Sequence, residues 1–208
     1  MSDNFTSNKK YAIYGGTFDP IHIAHVKLAD FAVKEMEIEE LYFMPSYINP
    51  FKKDDKVASA ADRLNMVKTV LDYNKAFRLS NYEIEKKGMS YTIETLDCWS
   101  KKFDGDLFFV VGFDSLVGMD TWYKGDELLS RYKIITGRRP DTDNKLADEK
   151  IREFKEKYNA DIHVLDMKEM DISSTEIRER LKSGSSIKDL VLDKTEEYIL
   201  EHNLYRDK

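Results

Sequence analysis

Short apolar runs alternate with amphipathic segments along most of the chain. Several of the apolar runs are uninterrupted, which is typical of strands that are covered on both faces. We predict strands over 11–14, 41–45, 77–84, 107–112, 132–137 and 161–166. Segments of helical periodicity lie between them, over 22–36, 59–73, 91–103 and 146–158, and a helical end runs from 174 to about 205.

This alternation predicts an α/β fold, in the form of a Rossmann-like, doubly wound and mostly parallel sheet with helices on both faces and a helical C-terminal end. No linker rich in Pro, Gly or Ser divides the 208 residues, so we expect one domain over 1–208 with its helical C-terminal part at about 171–208. Ligands bind such sheets beyond the carboxyl ends of strands, where the strand order reverses. With a strand order of 3-2-1-4-5, the turns after the first and fourth strands become neighbours.

The composition argues against nucleic-acid-binding, secreted and membrane proteins. The formal net charge of −6 argues against general binding to nucleic acid, which requires a basic surface, although local cations such as Lys52 and Arg178 can hold a small anion. The sequence predicts neither a secretory signal nor a membrane-spanning segment. A single cysteine, Cys98, fits a reducing compartment. We therefore expect a cytoplasmic protein in which Cys98 is an ordinary helix thiol.

The first candidate site is the turn after the first strand, in the stretch YGGTFDPIHIAH. Gly15 and Gly16 can adopt positive φ and allow a ligand close to the backbone. Pro20 precedes a predicted helix, whose first amides lack internal partners and form an anion site together with the helix dipole. His22 and His25 share one face of that helix start, where imidazoles can donate hydrogen bonds to phosphate oxygens.

Two other interpretations of this turn stay open from the residues alone. Two histidines at this spacing could bind zinc, but no third ligand cluster is evident, so we expect no metal held by the protein itself. They could also be ordinary capping or surface residues, which the neighbouring glycines disfavour. The turn has neither the G-x-G-x-x-G pattern of dinucleotide sites nor the P-loop pattern.

A second candidate phosphate site lies in the stretch DISSTEIRERLKSG. Ser173 as the N-cap and Glu176 three residues later form a capping box, and Ile172 with Ile177 would form its hydrophobic staple. Any well-made helix can show these features. The first turn adds the hydroxyls of Ser174 and Thr175 and the guanidinium of Arg178. Hydroxyls and a guanidinium beside free helix amides suit a polyphosphate.

These stretches carry a resemblance to a known family. GGTFDPIHIAH and ISSTEIR resemble the two signatures of the nucleotidyltransferase α/β-phosphodiesterase superfamily, in the right order and about 150 residues apart. PSYINPFKK, GMSYTIETL and GFDSLVGMDTWYKGDELL are similar to stretches of the bacterial nicotinate-nucleotide adenylyltransferases, and the resemblance covers nearly the whole chain. It implies transfer of the adenylyl group of ATP to nicotinate mononucleotide, giving deamido-NAD and pyrophosphate in NAD biosynthesis.

The resemblance also implies roles for individual residues. ATP would be bound by Gly15, Gly16, Thr17, Phe18, His22, His25, Gly112, Asp114, Ser173, Ser174, Thr175 and Arg178. Catalysis would rest on His22, His25, Lys52 and Arg178, which stabilise charge on the phosphates. The nicotinate pocket would consist of Thr92, Trp122 and Tyr123, although composition alone favours packing under a helix for the two aromatic residues. Mg²⁺ would arrive with ATP, and the resemblance leaves homo-oligomerisation open.

One position departs from the family's pattern. A histidine commonly precedes the lysine of the second-strand loop, whereas this chain reads Pro50-Phe51-Lys52, and a phenylalanine cannot donate to phosphate. Two rival functions stay open from the residues alone. One is another nucleotidyltransferase of the superfamily, with phosphopantetheine or nicotinamide mononucleotide as acceptor, and the other is a nucleotide sensor without catalysis.

Overall fold

A parallel sheet forms the centre of the protein. The computed structural model describes residues 9–52, 57–138, 144–166 and 172–206. Within this part, the sheet consists of β1 (Lys10–Gly16), β2 (Glu40–Pro45), β3 (Phe77–Leu79), β4 (Asp106–Val110), β5 (Lys133–Gly137) and β6 (Ile162–Leu165). The strand order is β3-β2-β1-β4-β5-β6, and all neighbouring strands are parallel. The order 3-2-1-4-5 expected from the sequence is confirmed, and β6 extends it at one edge.

Helices and short turns connect the strands. The helices are α1 (Ile23–Met36), α2 (Ala60–Lys68), α3 (Tyr82–Lys86), α4 (Thr92–Trp99), α5 (Phe113–Val117), α6 (Gly125–Arg131), α7 (Asn144–Tyr158), α8 (Ser174–Lys182) and α9 (Asp193–Glu201). Single 3₁₀ turns lie at Pro50–Lys52, Leu71–Tyr73 and Met119–Thr121. In the described ranges, no helix has the length and apolar character that a bilayer span requires.

Both faces of the sheet are covered by helices. Along β4, Phe108 and Val110 belong to one apolar core and Phe109 to the other, because successive side chains of a strand point to opposite faces. Helices α1, α2, α8 and α9 pack into the first core, and α4 to α7 pack into the second. The Rossmann-like, doubly wound class with a helical C-terminal end is therefore confirmed.

The predicted third strand is too long. β3 ends at Leu79, and α3 begins at Tyr82 inside the predicted range 77–84. The Oγ of Ser80 accepts a hydrogen bond from the Tyr82 amide (3.2 Å), so the chain turns here although its apolar spacing continues. A local bond between side chain and backbone overrides the period of the apolar positions at this point.

The predicted helices are also shorter than expected at two places. The helical pattern over 59–73 is broken, since α2 ends at Lys68 and a separate 3₁₀ turn follows. The helical end from 174 consists of α8 and α9, and Gly184 lies between them at a φ of 73°. Glycine adopts this left-handed conformation without steric cost and so ends α8.

Candidate functional site

The carboxyl ends of β1 and β4 lie side by side at one edge of the sheet. Tyr14 of β1 is paired in register with Val110 of β4, so the turns that follow these strands are neighbours, as predicted. A cavity of about 580 Å³ opens beyond them. This volume is typical of a small-molecule site, for which about 300–1,000 Å³ is usual. The starts of α1, α4, α5 and α8 also reach the cavity.

Most residues predicted for the site line this cavity. They are Gly15, Gly16, Thr17, Phe18, His22, His25, Thr92, Gly112, Asp114, Trp122, Tyr123, Ser173, Ser174 and Thr175. Arg178 is not part of the lining, but its guanidinium donates to the Asp19 carbonyl in the first turn. The side chain of Lys52 lies outside the part of the chain that the structure describes. The fold therefore brings together residues from four separate stretches of the sequence.

The glycines of the first turn act through close packing. Gly15 and Gly16 belong to β1 and do not use the positive φ that glycine allows. A Cβ on Gly16 would meet Phe18 Cζ at 3.0 Å, and one on Gly15 would meet the Phe109 ring at 3.1 Å. The left-handed residue of the turn is Phe18, with a φ of 52°. Its buried ring fills the space beside Gly16, and the Phe109 ring lies beside Gly15.

The two histidines form a stacked pair at the start of α1. Their ring centroids are 3.6 Å apart with an interplanar angle of 25°. The His22 amide donates to Nδ1 of His25 (3.2 Å), which in the neutral imidazole places the proton of His25 on Nε2. Phe18 packs edge-on against His25 at 5.3 Å between ring centroids. His25 is thus held with a defined tautomer, and its Nε2–H can donate to an anion.

A metal centre at these histidines has no support in the described residues. Within those ranges, no group of three or more His, Cys, Asp or Glu side chains is placed to hold a metal ion. The groups that line the cavity near the turn include imidazoles, hydroxyls and backbone amides, which suit an anionic ligand.

The start of α8 is bonded directly to the first turn. Ser173 caps α8, since its Oγ accepts from the Glu176 amide at 3.1 Å, as predicted. The Ser174 hydroxyl donates to the Pro20 carbonyl (3.0 Å). Nη1 of Arg178 donates to the Asp19 carbonyl (2.8 Å). The two helix starts therefore meet at one cavity and are held in a fixed relation to each other.

One of the first amides of α1, which we expected to be free for a ligand, is hydrogen-bonded within the protein. The amide of Ile23, the first residue of α1, donates to the Leu190 carbonyl at 2.9 Å. Leu190 lies between α8 and α9, so the C-terminal part of the chain also fixes the start of α1. Deeper in the first turn of α1, Ala24 and His25 line the cavity.

Sequence reasoning missed a buried arginine that supports the loops around the cavity. Arg63 of α2 is 2% exposed, and its Nη1 donates to the carbonyls of Thr17 (2.9 Å) and Ser46 (2.6 Å). Burial lowers the pKa of its guanidinium. The sequence feature that could have revealed its burial is its spacing of three and four residues from Met66 and Val67. This spacing places Arg63 on the apolar face of α2.

Asp19 is a second missed residue. It is 3% exposed, and its Oδ1 accepts hydrogen bonds from the Ala58 amide (3.0 Å) and from the Tyr205 hydroxyl (2.6 Å). Its Oδ2 lies 3.9 Å from Nη1 of Arg178. Asp19 therefore connects the first turn to the segment before α2, to α8 and to the end of the chain. No spacing rule in the sequence pairs positions 186 residues apart.

One part of the cavity lining is aromatic. The Trp122 ring lies 5.9 Å from Phe51 and 6.3 Å from Phe109, while Tyr91 and Tyr123 are 4.4 Å apart. Trp122 both packs against the second core and lines the cavity, so the packing interpretation and the binding interpretation are compatible. This wall offers flat apolar surfaces to a ring.

Polar contacts tie the loop after β2 to both ends of the cavity. Nδ2 of Asn49 donates to the Thr17 hydroxyl (3.1 Å), and the Tyr47 amide donates to Ser90 Oγ (3.0 Å). Glu83, which lines the cavity and is 7% exposed, accepts a hydrogen bond from the Thr95 hydroxyl (2.7 Å). Burial raises the pKa of the Glu83 carboxyl. No pattern in the sequence points to Asn49 or Glu83 individually.

Comparison with known proteins identifies the family to which this chain belongs. The model of the cytidylyltransferase-like family matches residues 13–180, which include both helix starts and the sheet edge between them. The chain belongs to the cytidylyltransferase-like family. Its membership agrees with the superfamily to which the two motifs pointed.

Individual relatives of this cytidylyltransferase-like chain are similar over nearly its full length. It is 40% identical over 95% of its residues to a protein of Clostridium acetobutylicum, and 38% identical over 95% to one of Clostridium tetani. These cover 99% and 100% of the relatives, and both are named "Probable nicotinate-nucleotide adenylyltransferase". The resemblance noted in the sequence is thereby confirmed.

Solved structures share the fold. Plasmodium falciparum nicotinic acid mononucleotide adenylyltransferase, complexed with NaAD, superposes with a TM-score of 0.79 at 21% identity. The match covers 95% of this chain and 97% of that one. The same enzyme complexed with APC gives a TM-score of 0.78.

Proposed function

We propose that this protein transfers the adenylyl group of ATP to nicotinate mononucleotide, yielding deamido-NAD and pyrophosphate in NAD biosynthesis. The observation that carries the proposal is the shared cavity. Two helix starts, one with His25 and one with Ser173, face its polar end, and Trp122 stands at its aromatic end. A site for a triphosphate beside a site for a flat ring suits these two substrates.

The polar end would hold the phosphates of ATP. His25 Nε2–H and the first turn of α1 would contact them from one side, and Ser174 and Thr175 from the other. Arg178, which already lies against the turn, would reach the outer phosphates, as the family resemblance implies. Lys52 is assigned to the same phosphates on that resemblance.

Gly112 and Asp114 would contact the ribose or the phosphates between the two ends. Gly112 precedes α5, and a Cβ added there would meet no atom within 4 Å. The backbone is therefore open to the cavity at this point, so that a ligand can approach it closely.

The aromatic end would take the nicotinate ring. Trp122 would stack on the pyridine, and the backbone amides near Thr92, the first residue of α4, and near Tyr123 would bind its carboxylate. Amide donors facing a carboxamide NH₂ would stay unpaired, at about 1–3 kcal/mol each. This disfavours nicotinamide mononucleotide without a charged side chain.

The reaction would be a direct in-line displacement. A phosphate oxygen of nicotinate mononucleotide attacks the α-phosphorus of ATP, one P–O bond forms, and the bond to the pyrophosphate oxygen breaks. The attacking oxygen is already anionic near neutral pH, so the protein needs no strong base. Catalysis then rests on positioning and on stabilising the charge that grows on pyrophosphate, by His25, Arg178 and the helix amides. No adenylylated residue is formed.

Mg²⁺ would enter as part of the substrate, bound to the ATP phosphates. The described residues fit this arrangement, because imidazoles, hydroxyls and amides surround the phosphate end and Mg²⁺ keeps much of its water and phosphate coordination. We place the enzyme in the cytoplasm, where reducing conditions suit a chain with a single cysteine.

The test is a comparison of acceptors. The purified protein is supplied with Mg²⁺, ATP and one of nicotinate mononucleotide, nicotinamide mononucleotide or phosphopantetheine, and pyrophosphate release is measured. We expect the nicotinate compound to be preferred over the amide by about tenfold or more in kcat/KM. Preference for phosphopantetheine would indicate another transferase of the superfamily, and no release with any acceptor would indicate a nucleotide sensor.

A further inference from the structure

The end of the chain reaches into the phosphate-binding turn. Tyr205 lies four residues beyond the last residue of α9, and its hydroxyl donates to Oδ1 of Asp19 at 2.6 Å. Burial and the charge of Asp19 both raise the pKa of this hydroxyl, so it stays protonated and remains a donor at working pH. The contact is a charge-assisted hydrogen bond between groups far apart in the sequence.

Asp19 stands between two cations and two neutral donors. Its carbonyl accepts from Arg178 Nη1 at 2.8 Å, while its Oδ2 lies 3.9 Å from the same nitrogen. On its other side, Oδ1 accepts from the Ala58 amide at 3.0 Å and from Tyr205. The electrostatic influence of buried Arg63 also reaches both Asp19 and Tyr205. The direction of this carboxylate therefore decides what Arg178 pairs with.

We propose that Tyr205 is a positioning residue for the phosphate end of the site: by holding Asp19 Oδ1, it keeps Oδ2 at 3.9 Å from Arg178 Nη1, which is too long for a hydrogen bond, so that this carboxylate pairs only loosely with the guanidinium that ATP needs. This inference rests on the proposed function. A buried carboxylate that loses a hydrogen-bond donor is destabilised unless another donor replaces it. For Asp19 the replacement is Arg178, whose Nη1 lies 3.9 Å from Oδ2. If the present 3.9 Å contact closed into a hydrogen-bonded ion pair, it would compete with the phosphates for Arg178.

The chain offers a matched control in Tyr198 of α9. Its hydroxyl donates to Asp62 Oδ1 (3.0 Å) and accepts from Asn65 Nδ2 (3.1 Å), so it also bonds the C-terminal part to α2. Both of these hydrogen bonds end on α2 and not on the first turn. Tyr198→Phe removes hydrogen bonds from the same part of the molecule while leaving Asp19 and its partners in place.

The experiment compares the full-length wild type with Tyr205→Phe and Tyr198→Phe. For each protein, KM for ATP, KM for nicotinate mononucleotide, kcat and the urea unfolding curve are measured. We expect Tyr205→Phe to lower kcat/KM for ATP about tenfold, as loss of a charge-assisted hydrogen bond implies, and to change KM for the mononucleotide less than about twofold. Tyr198→Phe should leave all three kinetic constants within about twofold, since its bonds lie away from the site.

A double variant distinguishes a role of Tyr205 in positioning Asp19 from a general loosening of the structure around the turn. Asp19→Asn in the Tyr205→Phe background removes the negative charge that would capture Arg178, so it should restore part of the ATP affinity that Tyr205→Phe loses. A merely structural contact would instead give a further loss. Equal effects of Tyr205→Phe and Tyr198→Phe on ATP, or no restoration in the double variant, would overturn the proposal.

ATP binding by equilibrium dialysis keeps this inference separate from the proposed function. If the wild type binds ATP but transfers no adenylyl group, the proposed function fails while the comparison of ATP affinities among the variants still decides the role of Tyr205. If the wild type is active and the variants bind ATP equally, the function stands and the positioning role is wrong.

Discussion

The ring of Phe51 lies 5.9 Å from the ring of Trp122 at the mouth of the cavity. Phe51 is 62% exposed, which is unusual for a large apolar side chain, and it occupies the position where the family commonly has a histidine. Its amide donates to Asn49 Oδ1 (2.9 Å), and Asn49 in turn bonds Thr17, so the ring is attached to the loop that borders both ends of the site. The phenylalanine that departs from the family's pattern therefore has an aromatic contact with Trp122.

The first prediction concerns this pair. Phe51→Ala should raise KM for nicotinate mononucleotide by about two- to tenfold, because an aromatic contact contributes about 0.5–1.5 kcal/mol beyond area burial. KM for ATP should change less than about twofold. Phe51→Leu keeps apolar bulk without a ring and should resemble the alanine variant if stacking is responsible. Steady-state kinetics with each substrate varied in turn would check this, and a rise confined to KM for ATP would contradict it.

The second prediction concerns His25. The bond from the His22 amide to Nδ1 places the proton of a neutral His25 on Nε2. If this group donates to the phosphates as proposed, His25→Ala should lower kcat by about 10²–10³-fold, as loss of one preorganised donor does elsewhere. Circular dichroism should show an unchanged fold. The control is His202→Ala, an exposed residue at the end of α9, which should keep full pyrophosphate release. Near-normal kcat in His25→Ala would remove this residue from the mechanism.

The third prediction concerns the stability contributed by Arg63. Arg63→Met has a similar length but leaves the carbonyls of Thr17 and Ser46 without their donor, so the free energy of unfolding should fall by about 2–4 kcal/mol. Arg180→Met removes an exposed pair with Glu176 and should cost less than about 1 kcal/mol. Urea unfolding of both variants measures the difference. Equal losses would show that the buried carbonyls find other donors.

The fourth prediction concerns pH and Glu83. Burial raises the pKa of Glu83 above its ordinary value near 4.5, so between that value and the raised one the folded state binds more protons than the unfolded state. The free energy of unfolding therefore falls as pH rises through this window, by at most about 1.4 kcal/mol per pH unit for one group. Glu83→Gln cannot ionise and should remove this slope.

Urea unfolding at several pH values between about 4.5 and 7.5 would measure the effect of Glu83 on stability. The stability of Glu83→Gln relative to the wild type should increase with pH in this range. Glu149→Gln, at an exposed position of α7, serves as the control and should leave the slope as it is. A constant difference between Glu83→Gln and the wild type at all pH values would show that the pKa of Glu83 is the same in the folded and unfolded states.

Much of the site follows from local sequence signals. The stretches around His25 and Ser173 combine a helix start, capping residues and hydroxyl or imidazole donors, and these features act over a few residues. The helix period and the apolar strands predicted the doubly wound sheet for the same reason. The predicted range 77–84 failed where Ser80 turns the chain through a local bond that apolar spacing does not report.

By itself, the sequence determined the class of fold, the strand order around the first turn and the two helix starts that face the cavity, because each depends on short-range periodicity or on a motif. Only the tertiary structure decided that Arg63 is buried beneath the turn, that Phe51 meets Trp122 and that Tyr205 bonds Asp19. These contacts join residues that are distant along the chain, and their partners are selected by the packing of whole elements. Local propensity does not contain that information.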